Sequence, residues 1–173
     1  MIHRRAFMGS TALGVAGLGT AVGAWAKGAE SALPGVGSVL RLPDVKLLDG
    51  RLWSPLDKAT TALVVYWWAS WCPFCALQSP HIQALWQAQK ANGLGLLALS
   101  IDPQASAAGR YLRSKGYSFP TGMLMGEVAK MLPKPKGLPV LAVLKVAGRE
   151  GTVVFAESGE MFPEDIEGLK RYL

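Results

Sequence analysis

Ala62-Leu63-Val64-Val65-Tyr66-Trp67-Trp68-Ala69-Ser70-Trp71-Cys72-Pro73-Phe74-Cys75 is the stretch on which the fold of this chain turns. Its first eight residues form an unbroken apolar run, as in a strand buried on both faces. From Pro73 to about residue 91 the spacing becomes helical, with Leu77, Ile82, Leu85 and Trp86 as inward candidates and Pro80 as an expected kink. A strand thus delivers Cys72 to the start of a helix, and Cys75 follows one turn later on the same face. These are the only two cysteines in the chain. A sulfur at a helix N-terminus meets unpaired N–H groups and the positive end of the peptide dipole, which favours its nucleophilic thiolate form. Pro73 suits the first turn, where a missing N–H costs nothing. Cys72 is therefore expected to attack a partner's sulfur and Cys75 to resolve the mixed disulfide. Trp71 and Phe74 flank the pair as an apolar contact surface.

Upstream, Val45-Lys46-Leu47-Leu48, Asp49-Gly50 and Arg51-Leu52-Trp53 read as a β-hairpin closed by a tight primed turn. Downstream, Leu94 to Ile101 is a second buried strand, ended by Asp102-Pro103, and Ala105 to Lys115 is helical with Gly116 as its cap. Phe119 to Leu124 is a short extended piece and Glu127 to Leu132 a short helix. Leu138-Pro139-Val140 opens a strand over Leu141 to Val146, which turns at Gly148-Arg149-Glu150-Gly151 into Thr152 to Ala156. Pro163 to Tyr172 is a terminal helix, with Glu164 and Asp165 complementing its dipole. A β-α-β unit imposes a parallel pair with a right-handed crossover. The final hairpin adds antiparallel strands, so the prediction is an α/β domain with a central mixed sheet and helices on both faces.

At 173 residues, 50% apolar and 17% charged, the chain has the length and composition of one globular domain and not of a disordered segment. Arg4-Arg5-Ala6-Phe7-Met8 precedes a charge-free, glycine-rich stretch that closes at Ala24-Trp25-Ala26, a small-x-small cleavage pattern. Residues 1–26 are read as a twin-arginine-like signal peptide, departing from the usual pattern at His3 and Gly9; an ordinary Sec signal is the alternative. So short and glycine-diluted a stretch makes a poor membrane span. A flexible leader over 27–40 and one domain over 41–173 follow. Removal of Arg4 and Arg5 lowers the net charge from +6 to +4. The remaining cations are scattered, so no nucleic-acid partner is expected.

In an oxidising compartment a structural disulfide stabilises by closing a long loop. Two intervening residues give little of that benefit and carry strain, the mark of a labile, reacting disulfide. A structural zinc site wants four nitrogen or sulfur ligands. Beyond the cysteines the mature chain offers only His81, nine residues from Cys72 and so about 900° round the helix, on its opposite face. His81 is read as a surface residue, and no metal is expected.

The run from Val64 to Cys75 resembles the signature of thioredoxin-fold proteins, and more narrowly of the periplasmic TlpA/ResA/CcmG-like thiol-disulfide oxidoreductases. Gly137-Leu138-Pro139 ahead of a strand strengthens the resemblance, which covers roughly residues 40 to 173. It implies a thioredoxin-like fold with a β-α insertion in the 67 residues between Cys72 and Pro139. It also implies that Pro139 is cis and lies beside the cysteine pair, leaving the backbone at Leu138 free to pair with an extended substrate. The residues it nominates are Cys72, Cys75 and Pro139 for catalysis, with Trp71, Pro73, Phe74 and Leu138 for substrate contact. Two positions depart from the pattern. Tyr66 stands where thioredoxin keeps a buried carboxylate, and Gln78 where ResA-like members carry a glutamate. An amide cannot accept a proton from Cys75, so Tyr66 and Gln78 are modulators and no side chain is nominated as general base. Lys134 and Lys136, just before Pro139, are either a solvated loop or a cationic rim to the active face.

The activity implied is a periplasmic protein thiol-disulfide oxidoreductase, acting as a monomeric reductase with no cofactor beyond its own redox-active Cys72–Cys75 disulfide. Its substrates would be protein disulfides, such as those of cytochrome-c apoproteins or a methionine sulfoxide reductase, and its electrons would come from a membrane thiol-transfer protein. The rival readings are a DsbA-like dithiol oxidase or isomerase, a copper-handling chaperone, and a binding module whose disulfide never opens. Copper chaperones of this fold usually carry Cys-x-x-x-Cys and a distal histidine, and no histidine follows His81.

Overall fold

A computed structural model describes residues 31–56 and 60–172; the predicted signal peptide lies outside them. The run quoted above becomes strand β4 (Ala62–Trp68), every residue of which is buried. The preceding strands are β1 (Val39–Arg41), β2 (Val45–Lys46) and β3 (Leu52–Trp53). Helix α1 (Pro73–Gln89), strand β5 (Leu94–Ser100), helix α2 (Ala105–Lys115), strand β6 (Thr121–Met123) and helix α3 (Gly126–Met131) follow. Strands β7 (Val140–Ala147) and β8 (Glu150–Ser158) and helix α4 (Pro163–Glu167), extended by a 3-10 turn over Gly168–Tyr172, complete the chain. β6 and α3 stand between α2 and the strand that follows Pro139, within the stretch where a β-α insertion was expected.

Six strands form one mixed sheet in the order β1-β8-β7-β4-β5-β6. β4, β5 and β6 run parallel, while β7, β8 and β1 are joined antiparallel. Because successive side chains alternate across a strand, β4 serves two cores. Val64, Tyr66 and Trp68 meet Ile82 and Leu85 of α1, Ala108 and Leu112 of α2, and Ile166 of α4. Leu63, Val65 and Trp67 meet Leu42, Val45, Leu47 and Leu132 on the other side. The two faces are therefore covered unequally. α1, α2 and α4 lie on the first; α1 and α2 share it because both are right-handed crossovers between parallel strands advancing in one direction. The second is closed by the β2–β3 hairpin and by short α3, whose end accepts a hydrogen bond from Trp67 Nε1 at Leu132 O, 3.2 Å.

Three expectations are corrected. The hairpin turn is not a two-residue primed turn. Leu47 O accepts from Gly50 N–H at 3.1 Å, and Gly50 takes φ +88 at the end of a three-residue loop, so Leu48 and Asp49 occupy the bend and glycine follows it. The stretch read as a leader is not free up to residue 40. Ser31 bonds across to Lys134 and Lys136, and Val39–Arg41 completes the edge of the sheet on β8, because a β8 edge of this length offers unpaired backbone groups. Leu77, taken as inward, is 56% exposed, while Gln78, Ser79 and Gln83 are buried. Helix α1 runs on through Pro80 to Gln89.

Candidate active site

At the carboxyl end of β4 the chain passes through Ala69, Ser70 and Trp71 to Cys72, the N-cap of α1, whose backbone is extended at φ −84, ψ 116. Cys72 N–H donates to Ala69 O at 3.2 Å, and Cys72 Sγ accepts from Cys75 N–H at 3.2 Å. The first sulfur thus takes the capping role that a serine or aspartate oxygen fills elsewhere, with Pro73 at the first position and no acidic residue in the first turn. An N–H of the helix start is aimed at that sulfur, which is the arrangement that supports negative charge on it. Both cysteines are unbonded and buried, Cys72 at 4% exposure and Cys75 at 1%. Burial pushes the Cys75 thiol far above the ordinary range, and its hydrogen bond with Cys72 pushes it further; the Ala69 backbone and Tyr66 act in the opposite direction. Cys75 is held as a protonated thiol behind Cys72.

Tyr66 lies beneath the helix. Its hydroxyl donates to Cys75 O at 3.4 Å and is 3.2 Å from Ser79 Oγ. Burial raises its own ionisation well above the ordinary phenol value, so it is a neutral hydrogen-bonding group. Gln78 Oε1 accepts from Met161 N–H at 2.9 Å, tying α1 to the segment before α4. That bond fixes the orientation of the amide, because the flipped form would set two donors against each other. Gln78 Nε2 and Trp68 Nε1 are then buried donors with no partner among the described residues. His81 sits half-buried beside α4, on the groove lined by Pro163, Ile166 and Lys170.

The Leu138–Pro139 bond is cis, as the resemblance implied. Pro139 O accepts from Gly159 N–H at 2.8 Å, and half-buried Leu138 packs against the cluster that contains both sulfurs. Val140, the next residue, pairs with Trp67 of β4, so the proline loop emerges at the same end of the sheet as the cysteines. Trp71 and Phe74 stand out from the surface, 61% and 53% exposed, beside exposed Pro73. Lys134 turns inward on its own loop: its Nζ donates to Pro135 O and Gly137 O at 2.9 and 3.3 Å. Lys134 is therefore built into the proline loop, while Lys136 is exposed.

One buried group escaped the sequence reading. Asp102 is 5% exposed at the end of β5, next to the strand that leads to Cys72. Its Oδ1 accepts from Ser70 Oγ at 2.6 Å, and its Oδ2 from Ser70 N–H at 3.1 Å and Ser100 Oγ at 2.7 Å. Asp102-Pro103 had been read only as a strand terminator. The signal that was available is the polar pair Ser100 and Asp102 at the end of an otherwise apolar strand.

A family model described as the AhpC/TSA family matches residues 41–132, more than half of the chain. The chain belongs to the AhpC/TSA family. It is similar to the thiol-disulfide oxidoreductase ResA of Bacillus thuringiensis (strain Al Hakam), 24% identical over 121 residues that span 70% of this chain and 68% of ResA. Its fold is shared with a thioredoxin-family thiol:disulfide interchange protein from Chlorobium tepidum TLS, at TM-score 0.69 and 17% identity over 80% of this chain and 97% of the other. StoA from Bacillus subtilis superposes with TM-score 0.61 and 19% identity, covering 79% and 99%. The thioredoxin-like fold and the ResA-type kinship read from the motif are both borne out.

Proposed function

We propose that this AhpC/TSA-family protein is an exported thiol-disulfide oxidoreductase that reduces disulfides in other proteins. The observation that carries the reading is the asymmetry of the pair. Cys72 caps a helix and receives a backbone N–H, whereas Cys75 is buried beneath it with its thiol held protonated. Kinship with ResA supports the same chemistry.

The steps balance as follows. The Cys72 thiolate attacks one sulfur of a substrate disulfide; a Cys72–substrate S–S bond forms and the substrate's other sulfur leaves as a thiolate with the electron pair. Cys75 then loses its proton and attacks Cys72 Sγ. The Cys72–Cys75 bond forms, and the second substrate sulfur departs as a thiolate. The substrate has gained two electrons and, after protonation, two protons, and the enzyme holds a disulfide in place of its dithiol. A membrane thiol-transfer protein would deliver two electrons to the Cys72–Cys75 disulfide outside the cytoplasm and restore the dithiol, in keeping with the signal-like N-terminus. No helix among the described residues is long and apolar enough to cross a membrane. Trp71, Phe74 and Leu138 supply the apolar surface on which the substrate segment rests, and Pro139 shapes the loop beside it.

Insulin reduction by the dithiol form, together with the reduction potential of the pair, tests this reading. A reductase should precipitate insulin and show a potential nearer the value of about −270 mV typical of thioredoxin than the value of about −120 mV of DsbA. A potential at the DsbA end with no insulin reduction would establish the dithiol-oxidase reading instead.

A further inference from the structure

We propose that Asp102 is a positioning residue for the exchange reaction, holding the Ala69–Cys72 turn through Ser70 so that Cys72 Sγ stays seated over the Cys75 N–H. This inference rests on the thiol-disulfide reading of the cysteine pair and adds a residue to it.

The hydrogen bonds converge from separate elements. Ser70 lies two residues before the nucleophilic sulfur and gives Asp102 both its backbone N–H and its hydroxyl. On the other side, Ser100 Oγ donates to Asp102 Oδ2 and accepts from Asp102 N–H at 3.1 Å, which fixes the rotamer of the carboxylate from within β5. The backbone adds a bond from Ile101 N–H to Trp68 O at 3.0 Å, so the two strand ends are joined on both sides of the turn. Within the turn, the bond from Cys72 N–H to Ala69 O sets the N-cap backbone. Without Asp102 the outer half of this frame is lost: Ser70 N–H has no other partner among the described residues, and Ser70 can rotate away. A side chain with three donors directed at its two oxygens, from two separate elements, is held in one placement. Asp102 acts through geometry. Small misplacements of a reacting atom carry large rate penalties, so the effect should fall on the attack step itself.

The test uses the full mature chain and reads the second-order rate at which reduced Cys72 cleaves a small aromatic disulfide, dithiobis-nitrobenzoate. This readout is independent of redox direction and of any protein partner. D102A should react about tenfold more slowly than the native chain. D102N should recover most of that loss, because Oδ at the Oδ2 site can still accept from Ser70 N–H and Ser100 while the new amide donates to Ser70 Oγ. S70A, which keeps the backbone bond and loses only the hydroxyl, should fall in between and folds without leaving a buried charge bare. Equal rates for native, D102A and S70A proteins, at whatever cost in melting temperature, would overturn the proposal and leave Asp102 a purely structural residue. A rate in D102N as low as in D102A would also overturn it, since charge and not placement would then be at work. Should D102A not fold, S70A and D102N carry the same decision. Failure of the native protein to reduce insulin would refute the reductase reading and leave this comparison intact.

Discussion

The two halves of helix α1 are built on opposite plans. From Ile82 to Gln89 the apolar residues keep the helical period, with buried Gln83 as a polar exception: Ile82 and Leu85 face the core, and Ala84, Gln87 and Ala88 are exposed. From Pro73 to Ser79 the pattern is inverted. Phe74 and Leu77 face solvent, while Cys75, Gln78 and Ser79 are buried. The buried polar groups of this helix are anchors: Gln78 holds the Met161 N–H, Ser79 meets Tyr66, and Gln83 binds the 118–119 loop through Ser118 and Phe119. What sets the first half apart is that its apolar Phe74 and Leu77 point outward while Cys75 is buried beside Gln78 and Ser79, a pattern organised around the cysteine pair. The other half is organised around a core.

Substitutions that break each half separately should fail differently. The largest effect is chemical. Cys72→Ala abolishes all disulfide exchange, whereas Cys75→Ala still attacks but stalls, accumulating mixed disulfides that non-reducing mass spectrometry detects. Should Cys75→Ala turn over at the native rate, the division of labour is wrong. Next comes the core half: Ile82→Ala should cost about 2–5 kcal/mol in urea unfolding, with the rate per folded molecule unchanged.

The third effect is on pH. Because burial raises the Cys75 thiol above its unfolded value of about 8.5, the reduced folded protein binds more protons than the unfolded chain above that pH. That stabilisation is complete below about pH 8.5 and is lost as pH rises towards the elevated folded value. The stability of the reduced chain should therefore decline from pH 8.5 to 10 more steeply than that of Cys75→Ala, measured by urea midpoints. Parallel curves would count against the buried thiol. The smallest stability effect belongs to the inverted half. The double change Phe74→Ser and Leu77→Gln should move stability within about 0.5 kcal/mol, as exposed substitutions do. It should also weaken protein-substrate use several-fold, a loss of roughly 1 kcal/mol of contact, and leave the rate with small disulfides alone.

The inversion also explains which parts of the molecule were legible beforehand. Ile82 and Leu85 were found because their spacing obeys the helical period. Leu77 was misplaced because the same rule assigns apolar residues to the core, and it has no means of recognising an apolar residue that stays exposed, as Leu77 does at 56%. Gln78 was named from the family resemblance, as a departure from its pattern, yet its bond to Met161 spans 83 positions. Asp102 was missed for the same reason, its partner Ser70 lying 32 residues away. Val39 and Leu40 looked like leader because nothing in their composition announces a strand whose partners, Thr152 and Gly151, lie more than a hundred residues downstream.

The amino-acid order alone determined the strand-turn-helix that presents Cys72, the place of Cys75 one turn later, the β-α alternation and so the mixed sheet. Each of these follows from local periodicity, steric rules at proline and glycine, and the short reach of a helix turn. Only the folded chain decided which side of α1 faces in at the motif, how deeply Cys75 is buried, and which carboxylate steadies the turn before Cys72. Burial and hydrogen-bond partnership depend on segments brought together by the sheet, and no rule of local spacing contains that information.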